Sequence, residues 1–118
     1  MAARDWVATE LDFTRSDLSV DQGFVSVFET TIRSLGGLLG AYTLSNNTVF
    51  LHKAIELGNR LLPAFNTVSG LPASKVRLED GTVHIPSFRL SSTVEKAVPL
   101  SEVGTVLLEM RQLSLLSA

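Results

Sequence analysis

Three glutamates in this sequence stand where a carboxylate could carry acid–base chemistry or bind a polar ligand. Glu29 lies near the start of the most apolar predicted helix, and Arg33 follows four residues later. Glu102 and Glu109 are seven residues apart, so on a helix they would project from one face, about 10 Å apart along the axis. Glu109 stands among large apolar residues, where a carboxylate needs a partner or a polar cavity. These four side chains are the candidate site residues.

Each candidate also has a purely structural interpretation. A Glu29–Arg33 pair at this spacing stabilises an exposed helix by about 0.3–0.5 kcal/mol, and a solvated ion pair is what the spacing alone favours. Glu102 suits a first helical turn, where the helix dipole stabilises a negative charge. The spacing of the glutamates therefore leaves a structural role and a site-lining role both open.

Other kinds of site find no support in the residue types. The sequence has no Cys, which excludes disulfides, thiolate zinc sites and a Cys nucleophile. His52 and His84 are far apart on different predicted elements, so they predict no metal site. The sequence contains no G-x-G-x-x-G motif, P-loop, nucleophile elbow or H-E-x-x-H motif. With 10 Lys and Arg against 12 Asp and Glu, the chain is unsuited to electrostatic binding of nucleic acid or anionic membranes.

The composition indicates a folded chain that has more apolar residues than a free-standing domain of its size needs. Its 118 residues fit one small domain or a piece of a larger one. A hydrophobic share of 45% and a mean hydropathy of +0.26 exclude disorder and are high for a free-standing domain of this size. We therefore expect some apolar surface to pack on further segments. The first residues lack the apolar core of a signal peptide, and the uncharged run between Arg33 and Lys53 is too broken by Gly and Asn to span a membrane.

Apolar periodicity predicts the elements that must position the glutamates. Helices are predicted over residues 3–11, 25–44, 49–62 and 100–116, the middle two forming an antiparallel hairpin. A small β-hairpin is predicted around Glu79-Asp80-Gly81, and residues 86–99 are predicted to be irregular. The buried faces of the two hairpin helices are predicted to contain Phe28, Ile32, Leu35, Leu39, Tyr42, Phe50, Ala54, Leu57 and Leu61.

Three glycines lie beside the apolar face of the helix predicted over residues 25–44. Gly36, Gly37 and Gly40 each cost a helix interior about 1 kcal/mol relative to Ala, which calls for a reason. Close approach by a neighbouring helix and close approach by a ligand both supply one. At the end of the same helix, Asn46-Asn47-Thr48 forms an N-glycosylation triplet at a predicted exposed turn, a pattern that is frequent by chance.

Residues 28–42, FETTIRSLGGLLGAY, closely resemble the signature helix of glycoside hydrolase family 47, the class I α-1,2-mannosidases that trim N-glycans in the endoplasmic reticulum and Golgi. Three further segments match that family in the same order. They are RDWV with ELDF in residues 4–13, LLPAFNT with SGLP in residues 61–72, and EVGT with LE and LS in residues 102–114. The resemblance covers residues 4–116, which makes it specific.

The resemblance implies an all-α fold that is a fragment of an (α/α)7 barrel: consecutive helical hairpins with one small β-hairpin, forming a partial domain over residues 1–118. It implies that Glu29 is the catalytic acid of an inverting hydrolysis and that Arg33 lines the pocket. Glu102 and Glu109 would help to bind the sugar. The glycines would then leave room for helices packed around a saccharide cavity.

The resemblance also implies features that this chain does not supply. The family's other catalytic carboxylates and the threonine that holds its Ca²⁺ correspond to positions beyond residue 118, so no metal ligand is expected here. The implied partners are a high-mannose N-glycan and the remaining barrel helices, and the implied location is the endoplasmic reticulum or Golgi. Val68, Ala73 and residues 86–99 depart from the family pattern.

Three hypotheses follow for function. The first is a piece of a calcium-dependent α-1,2-mannosidase that is inactive by itself, because an acid without its base and metal cannot complete the reaction. The second is a mannosidase-like module that binds glycans or misfolded glycoproteins in endoplasmic-reticulum-associated degradation. The third is a truncated helical product without function.

Overall fold

The computed structural model describes residues 2–15, 21–90, 93–96 and 98–118, and these are mostly helical, as predicted. Within these residues no helix combines the length and the apolar character needed to cross a membrane. The helices are α1 (Ala2–Thr9), α2 (Val27–Glu29, Thr30–Leu35 and Gly36–Ser45 in continuous succession), α3 (Thr48–Leu61, extended by a 3₁₀ turn Leu62–Phe65), α4 (Leu100–Val103) and α5 (Val106–Ser117). The strands are β1 (Phe24–Ser26), β2 (Lys75–Arg77), β3 (Val83–His84), β4 (Ser87–Leu90) and β5 (Thr93–Lys96).

The turn between α2 and α3 is two residues long, which confirms the predicted helical hairpin. Asn46 ends α2 in the left-handed conformation, with φ of 54°, and its N–H donates to the Tyr42 carbonyl at 2.7 Å. Asn47 begins α3 because its side-chain oxygen accepts from the Val49 N–H at 3.1 Å. Asn46 thus ends α2, and Asn47 begins α3.

Helix α2 contains a π-helical segment that periodicity did not predict. Because a π turn is wider than an α turn, residues four apart stay on one face through Thr30–Leu35. The buried face of α2 is therefore formed by Val27, Thr31, Leu35, Leu38 and Leu39. The prediction is correct for Leu35 and Leu39 and wrong for Ile32, which is 36% exposed, while Phe28 and Tyr42 are only partly buried.

The start of α2 is fixed by a sheet that has one more strand than predicted. The predicted hairpin is confirmed as β2 and β3, with Val76 opposite Val83. Strand β1 adds to its other edge, with Val25 opposite Val76, and so α2 begins at Val27 rather than at residue 25. Ser26, the last residue of β1, caps α2 by accepting from the Glu29 N–H at 3.1 Å.

Asp80 holds the turn between β2 and β3 and supplies a pH prediction. Its carboxylate accepts from the Thr82 N–H at 2.9 Å and from Arg77 at 3.0 Å. These bonds lower the pKa of Asp80 from 3.8 to about 2, and the bond from the Thr82 backbone makes the largest contribution. Because the pKa is lowered in the folded chain, the contribution of Asp80 to stability is present above pH 4 and is lost as pH falls from about 4 to about 2. We expect a carboxyl NMR titration to give a midpoint near 2 for Asp80; a midpoint near 4 would contradict these bonds.

Residues 86–99 were predicted to be irregular, and the described part of this stretch shows that to be wrong. The backbones of β4 and β5 pair antiparallel, with Phe88 opposite Glu95. The apolar and polar residues of Ser87–Leu90 alternate with period two, which is the strand pattern.

The last helix was predicted to be continuous from residue 100 to residue 116, and the structure divides it into α4 and α5. Gly104 closes α4 through an N–H bond of 2.8 Å to the Leu100 carbonyl, and a Cβ on Gly104 would lie 3.1 Å from that oxygen. The Thr105 hydroxyl donates to the Ser101 carbonyl at 3.0 Å. Gly104 thus allows a tight turn at which the chain is redirected before α5.

The core lies between α2, α3 and the sheet, and α5 packs against it. Ala54, Leu57 and Leu61 of α3 are fully buried, as predicted, and Phe50 is partly buried against them. From α5, Val106 is buried, while Met110, Leu113 and Leu116 are partly buried on the core. Gly58 lies at this contact, and a Cβ there would require the end of the Leu113 side chain to move aside.

Candidate functional site

Glu29 and Arg33 form an exposed ion pair in the first turns of α2. The Arg33 Nε donates to the Glu29 carboxylate, and the two side chains are 77% and 47% exposed respectively. The Ser26 cap and strand β1 fix the turn that carries Glu29. The ion pair predicted from the spacing is therefore confirmed, and its groups are open to a ligand.

Glu102 lies close to the same turn of α2, although it comes from a distant part of the sequence. It stands in α4, where its N–H donates to the Pro99 carbonyl at 3.1 Å. The residue lines a small cavity whose apolar walls include Phe28, Pro72 and Val106. Glu102 and the start of α2 therefore border the same cavity.

Glu109 lies against the middle of α2, beside Gly36. Its Cγ is 3.7 Å from the position that a Cβ on Gly36 would occupy. Its Oε2 is buried and has no hydrogen-bond partner in the part of the chain that the structure describes. An unpaired buried carboxylate oxygen is costly, so this group is expected to be satisfied by something further.

A groove of about 460 Å³ runs beside Glu109 between α2 and α5. Its polar lining includes Thr43 and Gln112, neither of which was singled out in the sequence. Gln112 could have been found, since it follows Glu109 by three residues and so shares its helix face. Gly37 and Gly40 have open space where a Cβ would lie, so only Gly36 of the three glycines makes a close approach to a neighbouring helix.

Helix α2 is thus the element that the four candidates share. Glu29 and Arg33 project from it, Glu102 approaches its first turn, and Glu109 touches it at Gly36, about 10 Å further along the axis. Glu29 and Glu109 thus offer an exposed acid beside a cation and, further along the same helix, a carboxylate with one unpartnered oxygen. Such groups can hydrogen-bond a ligand rich in hydroxyls, because carboxylates accept and guanidinium groups donate.

A metal site does not arise from these groups. Across residues 2–15, 21–90, 93–96 and 98–118 no three His, Cys, Asp or Glu side chains cluster to hold an ion. His84 instead packs edge-on against Phe24, with ring centres 6.2 Å apart. We assign no residue of this chain to calcium.

Comparison with known proteins gives consistent matches over the whole chain. The family described as "Glycosyl hydrolase family 47" matches residues 1–118. The endoplasmic reticulum mannosyl-oligosaccharide 1,2-alpha-mannosidase of Rattus norvegicus is 47% identical over 115 residues, covering 98% of this chain and 16% of that protein. The proteins of the same name from Homo sapiens and Schizosaccharomyces pombe are 46% and 44% identical, covering 98% and 99% of this chain and 15% and 20% of their own lengths. The chain therefore spans less than a quarter of the length of these relatives.

Proposed function

This chain belongs to glycosyl hydrolase family 47, as its resemblance predicted, and from that premise we propose that it is part of the catalytic domain of an α-1,2-mannosidase. The substrate is a high-mannose N-glycan on a glycoprotein, and the place of action is the secretory pathway. The names of the similar proteins support this assignment, since several are endoplasmic reticulum mannosidases that act on mannosyl-oligosaccharides.

Glu29 acts as the general acid of an inverting hydrolysis in this proposal. The bond between the mannose C1 and the leaving oxygen breaks, and Glu29 gives its proton to that oxygen. Water attacks C1 from the opposite face of the ring and loses a proton to a base outside this chain. The observation that carries the assignment is the family match over the whole chain, whose signature helix includes Glu29. In the structure Glu29 is an exposed carboxyl on a turn fixed by the Ser26 cap.

Glu102 and Glu109 bind the sugar in this proposal. The unpaired, buried Oε2 of Glu109 is a ready acceptor for a sugar hydroxyl. For Glu102 the support is the family match alone, because the cavity that it lines beside Phe28 is only about 10 Å³ and holds no sugar. Arg33 donates to the Glu29 carboxylate and so sets its direction.

The helices are the early part of an (α/α)7 barrel in this proposal, and the remaining barrel helices cover their exposed apolar residues. Leu107, Leu108 and Leu115 of α5 are all largely exposed here. Several exposed leucines on one short helix are typical of a surface that a further segment covers.

The family's calcium ion, when bound, would supply a hard cation that coordinates oxygen atoms of substrate or water. The described side chains do not form a site that fits it, so no step assigned to this chain involves the ion.

The assignment of Glu109 is tested by Glu109→Gln in a full-length protein that contains this chain. Losing one charge-assisted hydrogen bond of about 1.5–3 kcal/mol lowers kcat/KM for mannose release by about 10- to 150-fold. The thermal midpoint without substrate should stay the same or rise, because the variant removes the charge of a partly buried carboxylate whose Oε2 has no hydrogen-bond partner. A lower midpoint with unchanged kcat/KM would make Glu109 structural.

The hydrolase as a whole is tested by following the anomer released from a high-mannose N-glycan. Inversion at C1 requires the first product to be β-mannose, which NMR distinguishes from the α-anomer before mutarotation. Tight glycan binding without mannose release would instead support the glycan-binding module, and neither binding nor release would support the product without function.

A further inference from the structure

The turn between α2 and α3 carries a triplet for which the proposed hydrolysis has no use. Asn46-Asn47-Thr48 fits the acceptor pattern for N-glycosylation, with no proline at its centre and Val49 after it. We propose that Asn46 is an N-glycosylation site of this protein. The inference rests on the proposed function in one respect, since it requires entry into the secretory pathway.

The structure separates the acceptor asparagine from the structural one. Asn46 is exposed, and only its backbone is engaged, through the N–H bond to the Tyr42 carbonyl. No hydrogen bond holds its side-chain amide within the described residues. Asn47, in contrast, uses its side-chain oxygen to cap α3 through Val49. Thr48 is exposed on the first turn of α3, so both residues that the modification reads are accessible.

The position of Asn46 keeps a glycan away from the proposed acid. Asn46 lies seventeen residues after Glu29 on one continuous helix, which places it about 25 Å along the axis, at the opposite end of α2. A two-residue turn is also a place where a bulky group can extend into solvent without crossing a packed face. We therefore expect the glycan at Asn46 to leave mannose release unchanged.

The test uses the protein purified from its own cells. Treatment with peptide-N-glycosidase F should lower its mass by one glycan and convert Asn46 to Asp, which peptide mass spectrometry locates. In the same cells, Asn46→Gln and Thr48→Ala should remove this step in mass, whereas Thr48→Ser should keep it. The matched control is Asn47→Gln, which removes the α3 cap and leaves the triplet intact, so the glycan should remain.

Two results would overturn the inference, and they differ in what they say of the proposed function. An unmodified Asn46 in protein protected from protease inside secretory vesicles rejects the site and leaves the mannosidase assignment standing. An unmodified Asn46 in protein outside those vesicles rejects the site and the proposed location together. Mannose release by Asn46→Gln, measured in parallel, should equal that of the unchanged protein.

Discussion

Glu29→Gln in the full-length protein is expected to lower kcat for mannose release by at least about 100-fold, with little change in KM. General acid catalysis contributes about 10²- to 10⁴-fold, and glutamine keeps the size of the side chain but has no proton to give. The change leaves the Ser26 cap intact, because that bond involves the Glu29 backbone N–H. Initial rates on a high-mannose N-glycan over a range of concentrations separate kcat from KM.

The matched control for this experiment is Glu10→Gln, the same substitution at an exposed glutamate just after α1. It should leave both kcat and KM unchanged. The ion pair between Glu29 and Arg33 is exposed, so its loss changes the free energy of unfolding by less than about 1 kcal/mol. Unchanged trimming by a folded Glu29→Gln protein would reject the acid, and retained glycoprotein binding in that protein would favour the module.

The helical hairpin could be predicted because its signals are local. The buried positions of α3 recur at helical spacing and are correctly placed at Ala54, Leu57 and Leu61. The turn could be predicted because asparagines and a threonine adjoin the apolar run. The hairpin of β2 and β3 was found for the same reason, since Asp80 and Gly81 mark its turn.

The start of α2 was missed because apolar periodicity runs on into the strand before it. Ser26, with Glu29 three residues later, is a local signal for a helix start that a count of apolar positions does not use. Pairing with β2, more than forty residues later, holds residues 24–26 extended. The π-helical segment is likewise invisible to a count of apolar positions, which assumes one period throughout. It is the reason that Thr31 rather than Ile32 is buried.

The residue types of the site could be predicted, and their mutual positions could not. The spacing of Glu29 and Arg33 lies within one helix and gave their ion pair directly. The approach of Glu109 to α2 depends on how α5 packs. Gly36 lies at this contact, but a glycine in a sequence does not indicate which side chain will lie beside it. The interpretation of the glycines as room for a neighbouring helix stays a prediction, because a Cβ on Gly36 would meet Glu109 at an ordinary contact distance and Gly37 and Gly40 face open space.

The barrel proposal makes a stability prediction that depends on where a leucine lies. Leu57→Ala removes a fully buried side chain from α3 and should lower the free energy of unfolding by about 2–5 kcal/mol. The matched control is Leu115→Ala, the same substitution at a residue of α5 that is 65% exposed. In the 118-residue chain the control should change stability by less than about 0.5 kcal/mol.

The same pair of variants behaves differently in the full-length protein if further helices cover α5. Leu57→Ala should again lower the free energy of unfolding, because the residues that pack around Leu57 belong to this chain. Leu115→Ala should now lower the free energy of unfolding as well, since the Leu115 side chain would be buried and its loss would leave a cavity. Denaturant midpoints of both variants in both proteins decide the matter. If Leu115→Ala does not lower the free energy of unfolding of the full-length protein, this face of α5 is exposed to solvent. The arrangement of the proposed barrel around α5 would then be wrong.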